Sequence, residues 1–297
     1  MAPAATKPLV SVVIPTRNRN NKLSRCLDSV FGSDYHELEV IVVDDASDAP
    51  VEKAMASRFP QVRFVRNEQR KLLACSRNSG AAFSRGDYLF FLDDDNILAP
   101  DCIRLLVETL GRSDMIAVAS PIIFYLARPN KVWTSYIERS SLPGFYTLHT
   151  DIPSAERRTF SFHNSFMVKK LVFEELHGFD CHNFPVRFGE VDFAHRVSKA
   201  EYAAVVNPLA KDWHDLGWSM VHIDSARAYY TERNRMIVLK RNYKRRDLAF
   251  YSVCVLPFIG AYYLVHHPLS TTDGRLKTAA SFLRGTVDGI RFKENEP

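Results

Sequence analysis

Tyr88-Leu89-Phe90-Phe91-Leu92-Asp93-Asp94-Asp95 joins a short apolar run directly to three carboxylates. Such a run, with no polar alternation, reads as a strand buried on both faces, and the burst of charge marks where the chain leaves the core. The same event occurs upstream, where Leu38 to Val43 stops at Asp44-Asp45-Ala46-Ser47-Asp48. Leu9 to Ile14, interrupted by Ser11 and closed by Pro15, is a further strand, and Val62 to Val65 another.

Helical patterns stand between these runs. Asn20 or Asn21 can cap a helix that puts Leu23, Leu27 and Val30 on one face. Val51 to Phe59 and Leu72 to Ser84 read as helices, the second closed by Gly86, and Pro100-Asp101 opens a helix carrying Cys102, Leu105, Leu106 and Leu110. Strand alternating with helix predicts an α/β domain whose central sheet is mostly parallel and flanked by helices. Ligands of open α/β sheets bind outside the carboxyl ends of the strands, where both acidic clusters fall. Carboxylates there can hold a ribose, a base or a divalent metal, and Mg2+ is usually held by one or two carboxylates plus substrate phosphates. A triple aspartate alone is more often a solvated turn. Its direct attachment to an apolar strand, with a second acidic strand end upstream, favours the ligand site.

Beyond Ile116 the pattern is less regular. Strands are expected at Ile116 to Ala119, Phe160 to His163, Ser165 to Val168 and Tyr202 to Val206, with helices at Lys169 to Leu176, Glu190 to Lys199 and Ser225 to Tyr243. The 297 residues, 46% hydrophobic and 25% charged, suffice for one large domain with an appendage or for two small ones. A net charge of +5 is mild and gives no reason to expect nucleic acid as a partner. Five scattered cysteines, none at metal-ligand spacing, read as free thiols in a reducing cytosol. Residues 1–7 read as a flexible tail without a secretory signal.

Four segments occur in order at fitting distances: Val10-Ser11-Val12-Val13-Ile14-Pro15-Thr16-Arg17-Asn18, Val42-Val43-Asp44-Asp45-Ala46-Ser47-Asp48, Arg77-Asn78-Ser79-Gly80 and Leu92-Asp93-Asp94-Asp95. Together they resemble glycosyltransferase family 2, the inverting nucleotide-sugar transferases of the GT-A fold, over roughly residues 8 to 245. The resemblance implies a GT-A-type catalytic domain at 8–245, with a nucleotide-binding half at 8–120 and an acceptor-binding half at 121–245. It implies that Pro15, Thr16 and Arg17 line the nucleotide pocket, that Asp45 accepts a hydrogen bond from the base, and that Arg77 reaches the nucleotide or its phosphates. Asp93 would then sit near the ribose and Asp95 would hold a divalent metal, Mg2+ or Mn2+, with Asp94 between them. Arg77 could equally be an ordinary helix-surface arginine, but its place near Gly80 favours the functional reading.

A hydroxyl acceptor must lose its proton to a positioned base. Gly178-Phe179-Asp180 followed by Phe188-Gly189-Glu190-Val191-Asp192-Phe193 resembles the family's acceptor-side region, which usually carries two adjacent acidic residues and a third two positions on. One of the adjacent pair is replaced here, leaving Glu190 and Asp192. Positions two apart on a helix face different directions, so one of them points into the cleft. Glu190 is the expected base, Asp192 the alternative, and a plain helix-terminus glutamate the bland reading. His214 resembles the histidine that completes the metal or diphosphate site in relatives. A surface histidine between core tryptophans fits equally well. Trp213 and Trp218 can close a loop over the donor and exclude water, and His163 and Asn164 can meet the donor sugar or acceptor.

Lys240, Arg241, Lys244, Arg245 and Arg246 form a basic block before Leu248 to Val265, which carries no charge. The run is short for a span, which takes roughly 20 apolar residues, and Pro257 and Gly260 interrupt it. Leu276, Ala280, Leu283, Val287 and Ile290 then repeat as one helix face. Residues 246–297 are therefore expected to be a helical membrane-associating region, peripheral or monotopic, at the cytoplasmic side of the cell membrane. The alternative is that both segments pack on the catalytic domain or form a contact in a homo-oligomer.

The expected activity is metal-dependent inverting transfer from a nucleoside-diphosphate sugar to a lipid-linked or cell-surface glycan. A polyprenyl-phosphate acceptor is the alternative, and a non-catalytic membrane-bound scaffold that binds sugar nucleotide is the reading from another class. A dinucleotide oxidoreductase is excluded because Pro15-Thr16-Arg17 stands where its Gly-rich phosphate turn belongs.

Overall fold

Val10–Thr16 (β1) is buried along its whole length, and its alternating side chains feed two cores. Val12 and Ile14 pack on one side of the sheet with Leu23 and Leu27 of α1 (Asn20–Phe31), and Val13 packs on the other with Phe91. The computed structural model describes residues 7–215, 224–265 and 274–294. β2 (Leu38–Asp44) and β3 (Val62–Arg66) follow in parallel register, with α2 (Val51–Met55) between them. α3 (Leu72–Ala82) leads into β4 (Tyr88–Leu92), which pairs in parallel with the other side of β1. Gly80 lets α3 lie flat on this sheet: a Cβ there would meet Val13 Cγ1 at 2.3 Å and Val43 Cγ2 at 3.0 Å.

After β5 (Asn96–Leu98) and α4 (Cys102–Gly111), β6 (Ile116–Tyr125) returns at once through the antiparallel β7 (Arg128–Thr134). β8 (Ile137–Arg139) and β9 (Tyr146–Leu148) lie outside the main sheet. β10 (Arg157–Thr159), β11 (Ser165–Lys169), α5 (Lys170–Glu175), α6 (Gly189–Lys199) and β12 (Ala203–His214) complete the layer. The strand order is β10-β12-β6-β11-β4-β1-β2-β3. β11 runs antiparallel to both β4 and β6, and β5 and β10 run antiparallel to β12. The sheet is mixed, which corrects the mostly parallel expectation. The regular alternation lapses after α4, where β6 to β11 follow one another without helices, and β11 enters between β4 and β6 running against both. The expected strand at Phe160 to His163 reduces to an isolated bridge at Ser161, with β10 just before it.

Cys75 and Cys181 form a disulfide across 106 residues of sequence, which corrects the reading of five free thiols. Cys26 and Cys102 are free and buried, and Cys254 is free and exposed.

The chain divides into two compact units. The first comprises Met1–Glu138, Leu148–Pro185 and Gly189–Asp215, and holds the mixed sheet. The second comprises Arg139–Thr147, Val186–Phe188 and Leu216–Pro297. It contains α7 (Ser225–Asn242), α8 (Arg245–Phe250), a π-helical segment Tyr251–Val255, α9 (Leu256–Val265) and α10 (Arg275–Arg291). The division falls at residue 215, ahead of the expected boundary at 245, because α7 packs extensively on α10. No helix among the described residues is long and apolar enough to cross a membrane.

Candidate active site

Thr16 ends β1 and joins the two acidic strand ends. Its carbonyl accepts the Asp45 N–H at 2.9 Å, and its hydroxyl donates to Asp94 Oδ2 at 2.6 Å. Parallel pairing of β1 with both β2 and β4 carries the two clusters to one edge of the sheet.

At that edge Asp45 turns towards α3. Its carboxylate accepts from Lys71 N at 2.7 Å, Leu72 N at 2.9 Å and Asn67 Nδ2 at 2.9 Å. This satisfies the first turn of a helix whose N-cap, Lys71, supplies no side-chain cap. Asp45 belongs to the same strand edge as Asp93 and Asp95. It meets their turn through Thr16, and its own oxygens are occupied by donors at the start of α3.

Arg77 is 1% exposed and forks between two carboxylates. Nη2 donates to Asp93 Oδ1 at 2.9 Å and Nη1 to Glu190 Oε1 at 2.5 Å. Phe166 and Phe179 flank the guanidinium, with ring centroids 5.7 and 5.8 Å from its central carbon. Arg77 thus faces two acids, on a helix that Gly80 lets lie close against the sheet. Burial pushes the Asp93 carboxyl up to about 6; Arg77 opposes this and the neighbouring Asp95 adds to it. Burial acts the same way on Glu190, but the charge and hydrogen bond of Arg77 outweigh it and hold that carboxyl below its ordinary value. Asp192 is buried and accepts from Arg196 Nε at 2.9 Å. The two acids of α6 are thus turned apart, Glu190 to Arg77 and Asp192 along its own helix.

Asp95 is engaged by three cationic or titratable groups. Arg19 Nη1 lies 3.0 Å from it, Lys22 Nζ 3.4 Å and His214 Nε2 3.1 Å. The same Arg19 nitrogen donates to Asp94 at 2.9 Å. β5 follows the aspartates immediately and pairs with the end of β12, setting Asn96 opposite His214. Burial alone would lower the His214 imidazole, yet the hydrogen bond and charge of Asp95 raise it above the ordinary value. Asp95 is lowered in return, since His214, Arg19 and Lys22 outweigh its burial.

Among the described residues no three or more His, Cys, Asp or Glu side chains cluster as metal ligands. Asp95 and His214 are a pair. Two ligands bound side by side on an octahedral ion at about 2.1 Å stand roughly 3 Å apart, and Mg2+ commonly takes its remaining ligands from substrate phosphates and water. The 3.1 Å separation fits that arrangement, as does the chemistry of one carboxylate and one imidazole.

Pro15 is buried within β1, opposite Val43. Arg17 is exposed, with Nη2 3.9 Å from Asp48. His163 stacks on Trp133 at 4.8 Å, and burial lowers its imidazole to about 4. Asn164 backs the aspartate turn: its carbonyl accepts the Asp93 N–H at 3.1 Å and its amide donates to Asn96 Oδ1 at 2.7 Å. Buried there, it supports the aspartate turn. Trp213 is corrected. It lies within β12, stacks on Phe124 at 5.8 Å and donates from Nε1 to Pro129 O at 3.0 Å, because strand alternation sends it to the face opposite His214. Trp218 lies outside the described residues.

Sequence reasoning missed Arg19 and Lys22, although both follow the Pro15-Thr16-Arg17 segment closely. It also missed Trp133, whose ring lies 5.2 Å from that of His214, and the buried Asn96–Asp212 hydrogen bond behind the histidine. Burial pushes Asp212 up to about 7 against the opposing bond from Asn96. Asp212 precedes His214 by two residues on one strand face, a signal that spacing alone could have offered.

The family model described as glycosyl transferase family 2 matches residues 11–191, more than half of the chain. The chain belongs to that family. Relatives of this family 2 chain include an uncharacterized glycosyltransferase of Haemophilus influenzae, 38% identical over 108 residues, or 36% of either chain. A chondroitin synthase of Escherichia coli is 31% identical over 113 residues, covering 37% of this chain and 16% of the synthase. The chain thus spans well under half the length of these relatives. Among solved structures, GalNAc-T7 with UDP, GalNAc and Mn2+ superposes with a TM-score of 0.64 at 16% identity, over 90% of this chain and 59% of that one. A mannosyltransferase of Pyrobaculum calidifontis in complex with GDP-Man and Mn2+ gives 0.61 at 16%, over 96% and 88%. These likenesses show an α/β GT-A-like fold.

Proposed function

We propose that this chain carries out metal-dependent inverting transfer of a sugar from a nucleoside-diphosphate donor to a hydroxyl of a lipid-linked or cell-surface glycan. The observation that carries the reading is the Asp95–His214 pair at one strand edge, with the Glu190 carboxylate held by Arg77 beside Asp93. The Mn2+ and nucleotide in both structural neighbours support it.

Asp95 and His214 would hold Mg2+ or Mn2+, which when bound neutralises charge developing on the leaving diphosphate. Arg19 and Lys22 bring two further cationic groups to the same carboxylates and can turn to the phosphates. Thr16 fixes Asp94, and Asn164 fixes the backbone of Asp93, so the aspartate turn is set before the donor arrives. Glu190 takes the proton of the acceptor hydroxyl as its oxygen attacks the anomeric carbon from the side opposite the diphosphate, and one displacement inverts that centre. Arg77 keeps Glu190 ionised and therefore able to accept.

The test is a thermal-shift series with uridine, guanosine, thymidine and cytidine diphosphates, with and without Mn2+. At least one is expected to raise the melting temperature, and to do so more with Mn2+. No shift with any of them, at millimolar ligand, refutes donor binding.

A further inference from the structure

α10 lies on α7 through its small residues. A Cβ at Gly285 would meet the Tyr229 carbonyl oxygen at 2.4 Å, and one at Gly289 would meet Met236 Cβ at 2.5 Å. Thr278, Ala279, Phe282 and Thr286 are buried with them. This contact leaves the aliphatic residues outside: Leu276 is 80% exposed, Leu283 59%, Val287 42% and Ile290 51%. An amphipathic helix of a soluble domain does the reverse and buries that stripe.

The charge follows the stripe. Leu276, Leu283 and Ile290 recur every seven residues on one line, and each is followed at once by a base: Lys277, Arg284 and Arg291. A basic line therefore runs beside the aliphatic one. Arg284 reaches Asp288 at 3.8 Å but stays 79% exposed.

A second apolar surface lies on the neighbouring helices. Phe250, Cys254, Phe258 and Tyr262, at four-residue spacing, line an apolar groove of about 460 Å³ with Leu142, Val255 and Ile259. Lys244, Arg245 and Arg246 are exposed at the start of α8. The whole unit carries fifteen Lys and Arg against seven Asp and Glu, a net +8, while the chain is only +5, so the sheet-bearing unit is net negative.

We infer that the outward stripe of α10, with its basic line and the α8–α9 groove, docks this unit on an anionic lipid bilayer. Apolar side chains of such a surface enter the acyl boundary while Lys and Arg meet the phosphate headgroups. A second copy of the chain is the poorer occupant, because pairing two such units sets two net charges of +8 against each other. Attachment lies in the interface, since no described helix is long and apolar enough to cross. The docking does not depend on the reaction proposed for the other unit.

Co-sedimentation of the full chain with vesicles tests this. The chain is expected to pellet with phosphatidylcholine vesicles containing a third phosphatidylglycerol, to stay soluble with phosphatidylcholine alone, and to be released by high salt. Each methylene withdrawn from the acyl region weakens partitioning roughly fourfold. The double variant Leu283→Glu/Val287→Glu should therefore bind at least tenfold more weakly. Arg284→Glu/Arg291→Glu should lose anionic selectivity. Because the replaced side chains are exposed, circular dichroism and Mn2+-dependent nucleotide shifts should be unchanged. Wild-type chain that ignores anionic vesicles overturns the inference. So does an Leu283→Glu/Val287→Glu variant that binds as wild type, or a sedimentation-velocity dimer that this variant dissolves.

Discussion

Replacing Arg77 by Gln removes the cation from between two mostly buried carboxylates. Breaking a buried ion pair from one side typically costs about 3–5 kcal/mol, because the remaining charge loses its partner. Here two acids are stranded, but the Asp93 and Glu190 side chains keep 22% and 20% exposure and can protonate. The low end, about 3 kcal/mol at pH 8, is therefore expected. For a chain of 297 residues that lowers the melting temperature by roughly 5 °C. The pH dependence gives the sharper test. In the wild type Glu190 is held below its ordinary pKa, so its contribution is present at neutral pH and is lost as pH falls through the folded value. Asp93, raised to about 6, works the other way: its cost grows as pH rises from about 4 to above 6. Without Arg77 both carboxyls rise, both favour the protonated folded state, and the variant loses stability with increasing pH. Urea denaturation at pH 5.5 and pH 8 should show a wild-type-to-variant gap that is wider at pH 8. Equal gaps, or a wider gap at pH 5.5, would refute the fork as the source of the effect. Arg77→Lys keeps one charge without the two-armed geometry and should fall between them.

Glu190→Gln should leave Mn2+-dependent nucleotide binding intact while cutting kcat by roughly 100-fold or more for a hydroxyl acceptor. Full turnover by this variant would remove the base and favour an acceptor already ionised, such as a polyprenyl phosphate. Asp95→Asn and His214→Ala should each abolish the extra thermal shift that Mn2+ gives with nucleotide, and an unchanged shift would place the metal elsewhere. Joint replacement of Cys75 and Cys181 by Ser opens a loop of 106 residues and should cost about 2–4 kcal/mol in urea melts, an effect that a reductant reproduces in the wild type.

The alternation of apolar runs and helical faces was enough to place β1 to β4 and α1 to α4 in the sequence, because burial on a sheet writes itself into local periodicity. Thr16, Asp93, Asp94, Asp95 and Glu190 were legible for a related reason: strand ends and helix starts are where a buried framework shows polar groups. Gly80 was legible as a close approach, although not what it approached. What the sequence withheld depends on contacts between distant segments. The meeting of Asp95 with His214 across 119 residues was implied only through the family resemblance, while the turning of Arg77 onto two acids and the Cys75–Cys181 bond are set by how layers pack. The same holds for the mixed strand order. The spacing of Leu276, Leu283 and Ile290 defined an apolar face on α10, but only the fit of Gly285 and Gly289 against α7 decided that this face points outward. Periodicity shows that a helix has two sides, and the closer steric fit of one of them determines which is buried.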